Sequence, residues 1–299
     1  MSNWHIQNTI ATSQTPFTIS DTSLQKEFKS NWHLFGAPLQ PFDSDFTNNI
    51  NYSNPGYWYA YDQDLLSLDQ YFGDLSLESG KGYYLYLNNE SSIQINGNVL
   101  SDYTVSNLNV GWNLISNPLV LNVNKDSLIV VLNESEYYWN DAVSQKLVSG
   151  SLLGLNNETL THENLNVLEH YTGYWIHANE ENLSLKFKPH VSSSENVNNL
   201  DWHLNLFSRA SILGSESFGD MVTLGIDKDA DNEFIYGEDD YHLATNPFIG
   251  TFTKMYMELN DGNGDVEVYR DIRKMNQDIS FIWNVNGISN NISGNINLA

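Results

Sequence analysis

The chain has 299 residues, enough for two or three domains with real cores; 40% of the residues are hydrophobic and 13% aromatic, which argues for folded material. A formal charge of -24, from 37 acidic against 13 basic residues, disfavours nucleic acid and anionic membranes as partners, because phosphate would be repelled. The absence of cysteine excludes disulfides, thiol catalysis and thiolate metal sites, and no apolar run is long enough to span a bilayer.

The opening residues, MSNWHIQNTI, lack a basic segment followed by an apolar core, so no signal peptide is expected. The chain reads as a piece of a longer exported protein, with residues 1–30 set apart as an N-terminal segment. Within it SDTSLQKEF (20–28) is expected to hold a short helix. So is NKDSLIVVL (124–132) further along, each with a Ser or Asp placed as N-cap.

Next comes an internal repeat. NWHLFGAPL (31–39) aligns with GWNLISNPL (111–119), so that Trp32 and Trp112, like Pro38 and Pro118, are 80 residues apart. An aromatic segment follows each: YWYAYD (57–62) in the first copy and YYWND (137–141) in the second. Then come SGKGYYLYL (79–87) and YTGYWIHA (171–178), and finally the alternating SIQING and LSLKFK. In Trp-x-Leu-x-x-x-Pro the Trp and Leu share one face of a strand by period two, and the proline ends the hydrogen-bonding ladder. The order of landmarks gives two β-rich repeats, 31–107 and 108–196.

From residue 197 the pattern changes. LDWHLNLFSRAS is a strand with Trp202, Leu204 and Leu206 on one face, and DMVTLGID (220–227) is another. FTKMYMEL and VEVYRDIR flank NDGNGD, which reads as a hairpin, and ISFIWNVNG and NISGNINLA end the chain as strands. The expected fold is all-β: two related repeats followed by a C-terminal antiparallel β-sandwich over 197–299.

The "GWNLISNP … YYW … GYW" repeat resembles modules of large secreted and cell-surface proteins of Bacteroidota and related marine bacteria, many exported by the type IX system. The last domain resembles a β-sandwich that often follows such repeats. The residues carrying that resemblance are Trp202, Leu204, Leu206, Asp220, Gly225, Ala230, Asp231, Pro247, Asp271, Arg273 and Trp283. It implies an architecture and an extracellular or cell-surface setting, and it brings no single chemistry with it.

Two stretches have the composition of a cation site. Counting Asp227 as position 1 places Asp229, Asp231, Glu233 and Glu238 at 3, 5, 7 and 12, the carboxylate spacing of an EF-hand loop. Asn232 stands where that motif wants Gly, and the flanks are strand-like, so the ligand spacing is kept and the EF-hand fold rejected. NDGNGD offers Asp261, Asn263 and Asp265, although it also suits a metal-free turn. Oxygen-only ligands favour Ca²⁺, in a structural role, over zinc or copper.

The aromatic runs (Tyr57 to Tyr61, Tyr83 to Tyr86, Tyr137 to Trp139, Tyr174 and Trp175) place rings on both faces of their strands, one for the core and one for a platform that stacks on sugars. Trp58, Tyr61, Trp139 and Trp175 are the candidate ligand-binding residues. The eight histidines, among them His5, His162, His170 and His190, form no His-x-x-x-His or His-Glu-x-x-His pair, and no nucleophile elbow or phosphate loop is present. Glu163 and Glu169 beside His162 and His170 fit a polar connecting loop. The reading is therefore a non-catalytic structural or adhesive module with calcium-ordered loops, whose partners are polysaccharide or other surface proteins. The alternative is a carbohydrate-binding module using exposed aromatics, accessory to a polysaccharide-degrading enzyme.

Overall fold

The computed structural model describes residues 22–51, 58–63, 75–188, 202–208, 211–212, 215–216, 219–243, 252–274, 281–288 and 293–295. Of the residues singled out above, His5, Tyr57, His190 and Pro247 lie outside these. The fold is all-β, with mostly antiparallel sheets and short helical turns.

In the first repeat Asn31–Gly36, Gly82–Leu87 and Trp58–Tyr61 form a three-stranded antiparallel sheet. Thr22–Phe28 pairs with Ser91–Asn98 in a second sheet, which also takes up Gln40–Pro41 and Ile50–Asn51. Period two sends Phe35, Tyr83, Leu85 and Leu87 inward to meet Ile93 and Ile95, and these close one core. Trp32, Leu34 and Tyr84 face the other way.

The second repeat copies this plan. Gly111–Ser116, Gly173–Ala178, Val148–Asn156 and Thr161–Asn164 form one sheet. Tyr103–Leu108, Leu183–Phe187, Ile129–Leu132 and Ser135–Tyr138 form the other, and the core between them contains Ile115, Leu152, Tyr174 and Phe187. Backbone conformation repeats too. Asn31 and Gly111 both have positive φ (118° and 96°), and so do Gly80 and Tyr171 at the turn before the next paired strand (78° and 64°).

Three sequence expectations change. TSLQKEF is a strand rather than a helix, because its burial alternates residue by residue and its backbone pairs with Ser91–Asn98. NKDSL holds only a 3₁₀ turn, Lys125–Ser127, capped by Asn124 Oδ1 accepting from the Asp126 N–H (3.0 Å). The first strand of each repeat therefore lies upstream of the boundaries read from sequence. The partner of YWYAY is also different: register aligns it with Val148–Asn156, which pairs with Gly173–Ala178 as Trp58–Tyr61 pairs with Gly82–Leu87. YYWND instead ends a strand and begins the helix Trp139–Ser144.

The C-terminal part is a seven-stranded sheet built on Trp202–Ser208, Asp220–Asp227, Asp265–Lys274, Phe252–Asn260, Trp283–Ile288 and Ser293–Asn295, with Asp240–Tyr241 paired to Asp265–Lys274. Its pairs are antiparallel except Asp220–Asp227 with Asp265–Lys274, which run parallel. The NDGNGD hairpin forms as expected, with Asn260 opposite Asp265. Phe234, Tyr236 and Tyr241 fold over one sheet face and complete a core with Val222, Leu224, Met255, Met257 and Val268.

The outward faces of the two repeat sheets meet each other, and the contacts come in reciprocal pairs. A Cβ on Gly82 would lie 2.5 Å from the Ile115 carbonyl oxygen, and one on Gly173, the equivalent residue, 3.0 Å from the carbonyl oxygen of Phe35, the equivalent of Ile115. Gly36 and Ser116, equivalent to one another, touch: a Cβ on Gly36 would fall 1.9 Å from that of Ser116. Each repeat presents the same patch to the other, which is the signature of an isologous contact inside one chain.

Candidate functional site

The aromatic residues expected to form a sugar platform are largely spent on packing. Trp139 (1% exposed) lies in the core of the second repeat and Trp175 (4%) in the contact between repeats. Trp58 packs against the first repeat's core, its ring stacked on Phe46 at 5.7 Å and 29°. Tyr61 packs against the inter-repeat core beside Trp32. The structure does not bring these four rings to one surface.

The acidic loop is held by its own side chains. Asp227 Oδ1 accepts from the Asp229 N–H (2.9 Å), Glu238 Oε2 from the Asp231 N–H (3.2 Å), and Asp231 Oδ1 from the Asn232 N–H (2.7 Å). Ala230 and Phe234 are buried beneath it, while Asp229, Asp231 and Glu233 face solvent. In the hairpin, Asp261 Oδ1 accepts from the Asn263 N–H and Asp265 Oδ1 from Asn260 Nδ2. Among the described residues no three His, Cys, Asp or Glu side chains converge as a cation would require.

The polar groups that do converge sit where all three parts of the chain meet. A shared core contains Leu34 and Tyr84 from the first repeat, Leu114, Leu153 and Trp175 from the second, and Leu243 and Tyr269 from the C-terminal part. Through it runs a hydrogen-bonded chain: Trp175 Nε1–H donates to the Tyr84 hydroxyl (2.9 Å), which lies 3.0 Å from His162 Nε2. Next to it, His242 Nε2 is 2.7 Å from Asp220 Oδ2, and that oxygen also accepts from the Met255 N–H (2.8 Å). Trp112 Nε1–H donates to the His242 carbonyl (3.0 Å) and ties the second repeat to the C-terminal part. Burial sets the ionisation here: it drives His162 down to about 4, against the attraction of Asp220, so the imidazole is neutral at ordinary pH. Burial also pushes the Tyr84 phenol well above its ordinary value.

A second buried cluster follows the acidic loop. Asp239 accepts from the Ile235 and Ile272 N–H groups (both 2.8 Å), yet burial still raises its carboxyl to about 7. Asp240, fully buried, accepts from the Ser151 hydroxyl (2.5 Å) in the second repeat, lies 3.6 Å from Arg270 Nη1, and is 3.4 Å from the Tyr269 hydroxyl, which contacts Ser151 as well. Burial raises Asp240 while Arg270 opposes the shift. Of the residues carrying the family resemblance, Asp220 is the partner of His242, and Asp271 receives the Arg273 guanidinium on both oxygens.

Sequence reading put His162 in a polar connecting loop, where the structure has the strand Thr161–Asn164, and it missed His242, Asp240 and Tyr269. No local signal marked His162: in Thr161–Asn164 period two puts it on the face of polar Asn164 and opposite Leu165, and its partner Tyr84 comes from the other repeat. Comparison with family models, with characterised proteins and with solved structures finds no match to this chain.

Proposed function

We propose that this chain is a non-catalytic structural or adhesive segment of a secreted or cell-surface bacterial protein, one that holds two repeats and a C-terminal domain as a single rigid body. The observation that carries the proposal is the shared core: Tyr84, Trp175 and Tyr269, from three different parts, are each at most 5% exposed in one cluster. Domains joined by flexible linkers meet through small polar interfaces. Here the contact is apolar, close-packed and crossed by hydrogen bonds that a rotation would leave unsatisfied in a dry interior. The strong negative charge suits a soluble surface without affinity for polyanions. No helix among the described residues is long and apolar enough to cross a membrane.

Calcium enters this proposal as an ion that further orders the Asp227–Glu238 loop; its support is the carboxylate spacing and the solvent-facing Asp229, Asp231 and Glu233. The surface setting is supported by the resemblance of the repeat. Antibody labelling of intact cells of the bacterium that encodes the chain tests that setting. Labelling that is lost on mild protease treatment of whole cells is expected; signal only after lysis would overturn it.

A further inference from the structure

A cleft of about 860 Å³ opens between the second repeat and the C-terminal sheet, within the range of roughly 300–1,000 Å³ typical of small-molecule sites. Of the four rings singled out as a sugar platform, Trp139 lines it and Trp58, Tyr61 and Trp175 do not. Its wall on the C-terminal side is the strand Trp202–Ser208, which is at the end of the sheet order. His203, Asn205 and Phe207 share one face of that strand by period two, and all three line the cleft. The Phe207 side chain is left 55% exposed.

The polar lining is dominated by amides: Asn124, Asn140, Asn164, Asn166 and Asn205. Three of them have their carbonyl ends committed to the protein. Asn124 Oδ1 accepts from the Asp126 N–H (3.0 Å), Asn164 Oδ1 from the Leu152 N–H (3.1 Å), and Asn205 Oδ1 from the Thr223 hydroxyl (2.9 Å). This fixes the amide orientation and leaves the Nδ2 groups as donors toward whatever enters. Acceptors line the cleft as well. Glu163 uses Oε1 for Asn156 Nδ2 (2.8 Å), which leaves Oε2, and Asp126 also lines the cleft.

The two cations in the lining are already committed. Arg270 lies against buried Asp240, and Lys125 Nζ donates to the Gly150 carbonyl (3.1 Å). With Asp126 and Glu163 beside them, the cleft offers no net positive charge for a carboxylate, sulfate or phosphate. Donors and acceptors together with an exposed ring match a ligand whose hydroxyls both give and take hydrogen bonds and whose ring has an apolar face. We propose that this cleft binds a neutral oligosaccharide, held by the Asn and carboxylate side chains and stacked on Phe207. The rigid-body reading does not depend on it.

Isothermal titration of the whole chain with neutral oligosaccharides built of glucose, galactose, mannose, xylose or N-acetylglucosamine tests the assignment, with oligogalacturonate and a sulfated oligosaccharide as anionic arms. Saturable binding of at least one neutral sugar is expected. Phe207→Ala, at an exposed position, should weaken it about tenfold or more with an unchanged melting midpoint, and Asn166→Trp should block it by filling the cleft. No neutral sugar binding at millimolar concentration, a preference for the anionic sugars, or binding that both variants leave intact would each overturn the proposal.

Discussion

Gly36→Ala places a methyl carbon where the contact between repeats has no room. The added Cβ would lie 1.9 Å from Ser116 Cβ and 2.4 Å from its Oγ, whereas two carbons need about 3.5 Å. The repeats would have to part by about 1.5 Å along a seam that includes Leu34, Leu114, Tyr84 and Trp175. Overpacking of this kind costs about 1–3 kcal/mol and sometimes more, and the upper end is expected here. Because residues 36 and 116 are equivalent across the contact, the reciprocal change should relieve the clash. Ser116→Gly alone adds a strand glycine, at about 0.5–1 kcal/mol. It also removes a buried hydroxyl that has no hydrogen-bond partner among the described residues, which offsets part of that cost. The double variant, with the glycine moved from one repeat to the other, should return to within about 1 kcal/mol of the parent, giving a coupling of at least about 2 kcal/mol. Urea unfolding of the four proteins measures it. A harmless Gly36→Ala, or costs that simply add, would refute the reciprocal packing.

Other consequences follow from the junction and the loop. Tyr84→Phe leaves the buried Trp175 N–H without its acceptor and should cost about 1–3 kcal/mol by the same urea assay. His162 has a folded value near 4 against an ordinary 6.5, so its contribution is fully present above pH 6.5 and is lost as pH falls toward 4, by about 3 kcal/mol. Asp239, raised to about 7 from 3.8, works in the opposite sense, with stability lost as pH rises from 4 toward 7. The difference between parent and His162→Gln isolates the histidine: the parent should lose about 3 kcal/mol relative to the variant between pH 7 and pH 4, and a flat difference would contradict the burial argument. Calcium should raise the melting midpoint over that in chelator, and Asp229→Asn with Asp231→Asn should abolish the rise; an unchanged midpoint would remove calcium from the proposal.

The duplication and most strands were legible because they rest on local signals. Trp32 and Leu34 alternate with buried Phe35, and the prolines and glycines mark the strand ends. TSLQKEF was misread because its pairing partner, Ser91–Asn98, lies some seventy residues away, and only that ladder turns a cap-like start into a strand. Trp175 was read as part of a platform because alternation shows that a strand has two faces but not that a second sheet covers the outer one, and Trp139 because its run reads as a strand where the chain turns into a helix that buries the ring in the repeat's own core. The junction was hidden for the same reason. Tyr84, His162 and Asp220 are far apart in sequence, and their meeting depends on how three finished layers stack. The acidic loop drew attention through charge, while its structural contribution comes from Phe234 and the buried Asp239 and Asp240 at its end.

The central claim, that the three parts form one rigid body, is open to direct measurement because the chain has no cysteine of its own. Glu90→Cys in the first repeat and Asn263→Cys in the C-terminal hairpin, both exposed, accept a pair of spin labels. Pulsed dipolar spectroscopy should return one narrow distance distribution. A broad or multiple distribution would show the parts moving independently and would contradict the account.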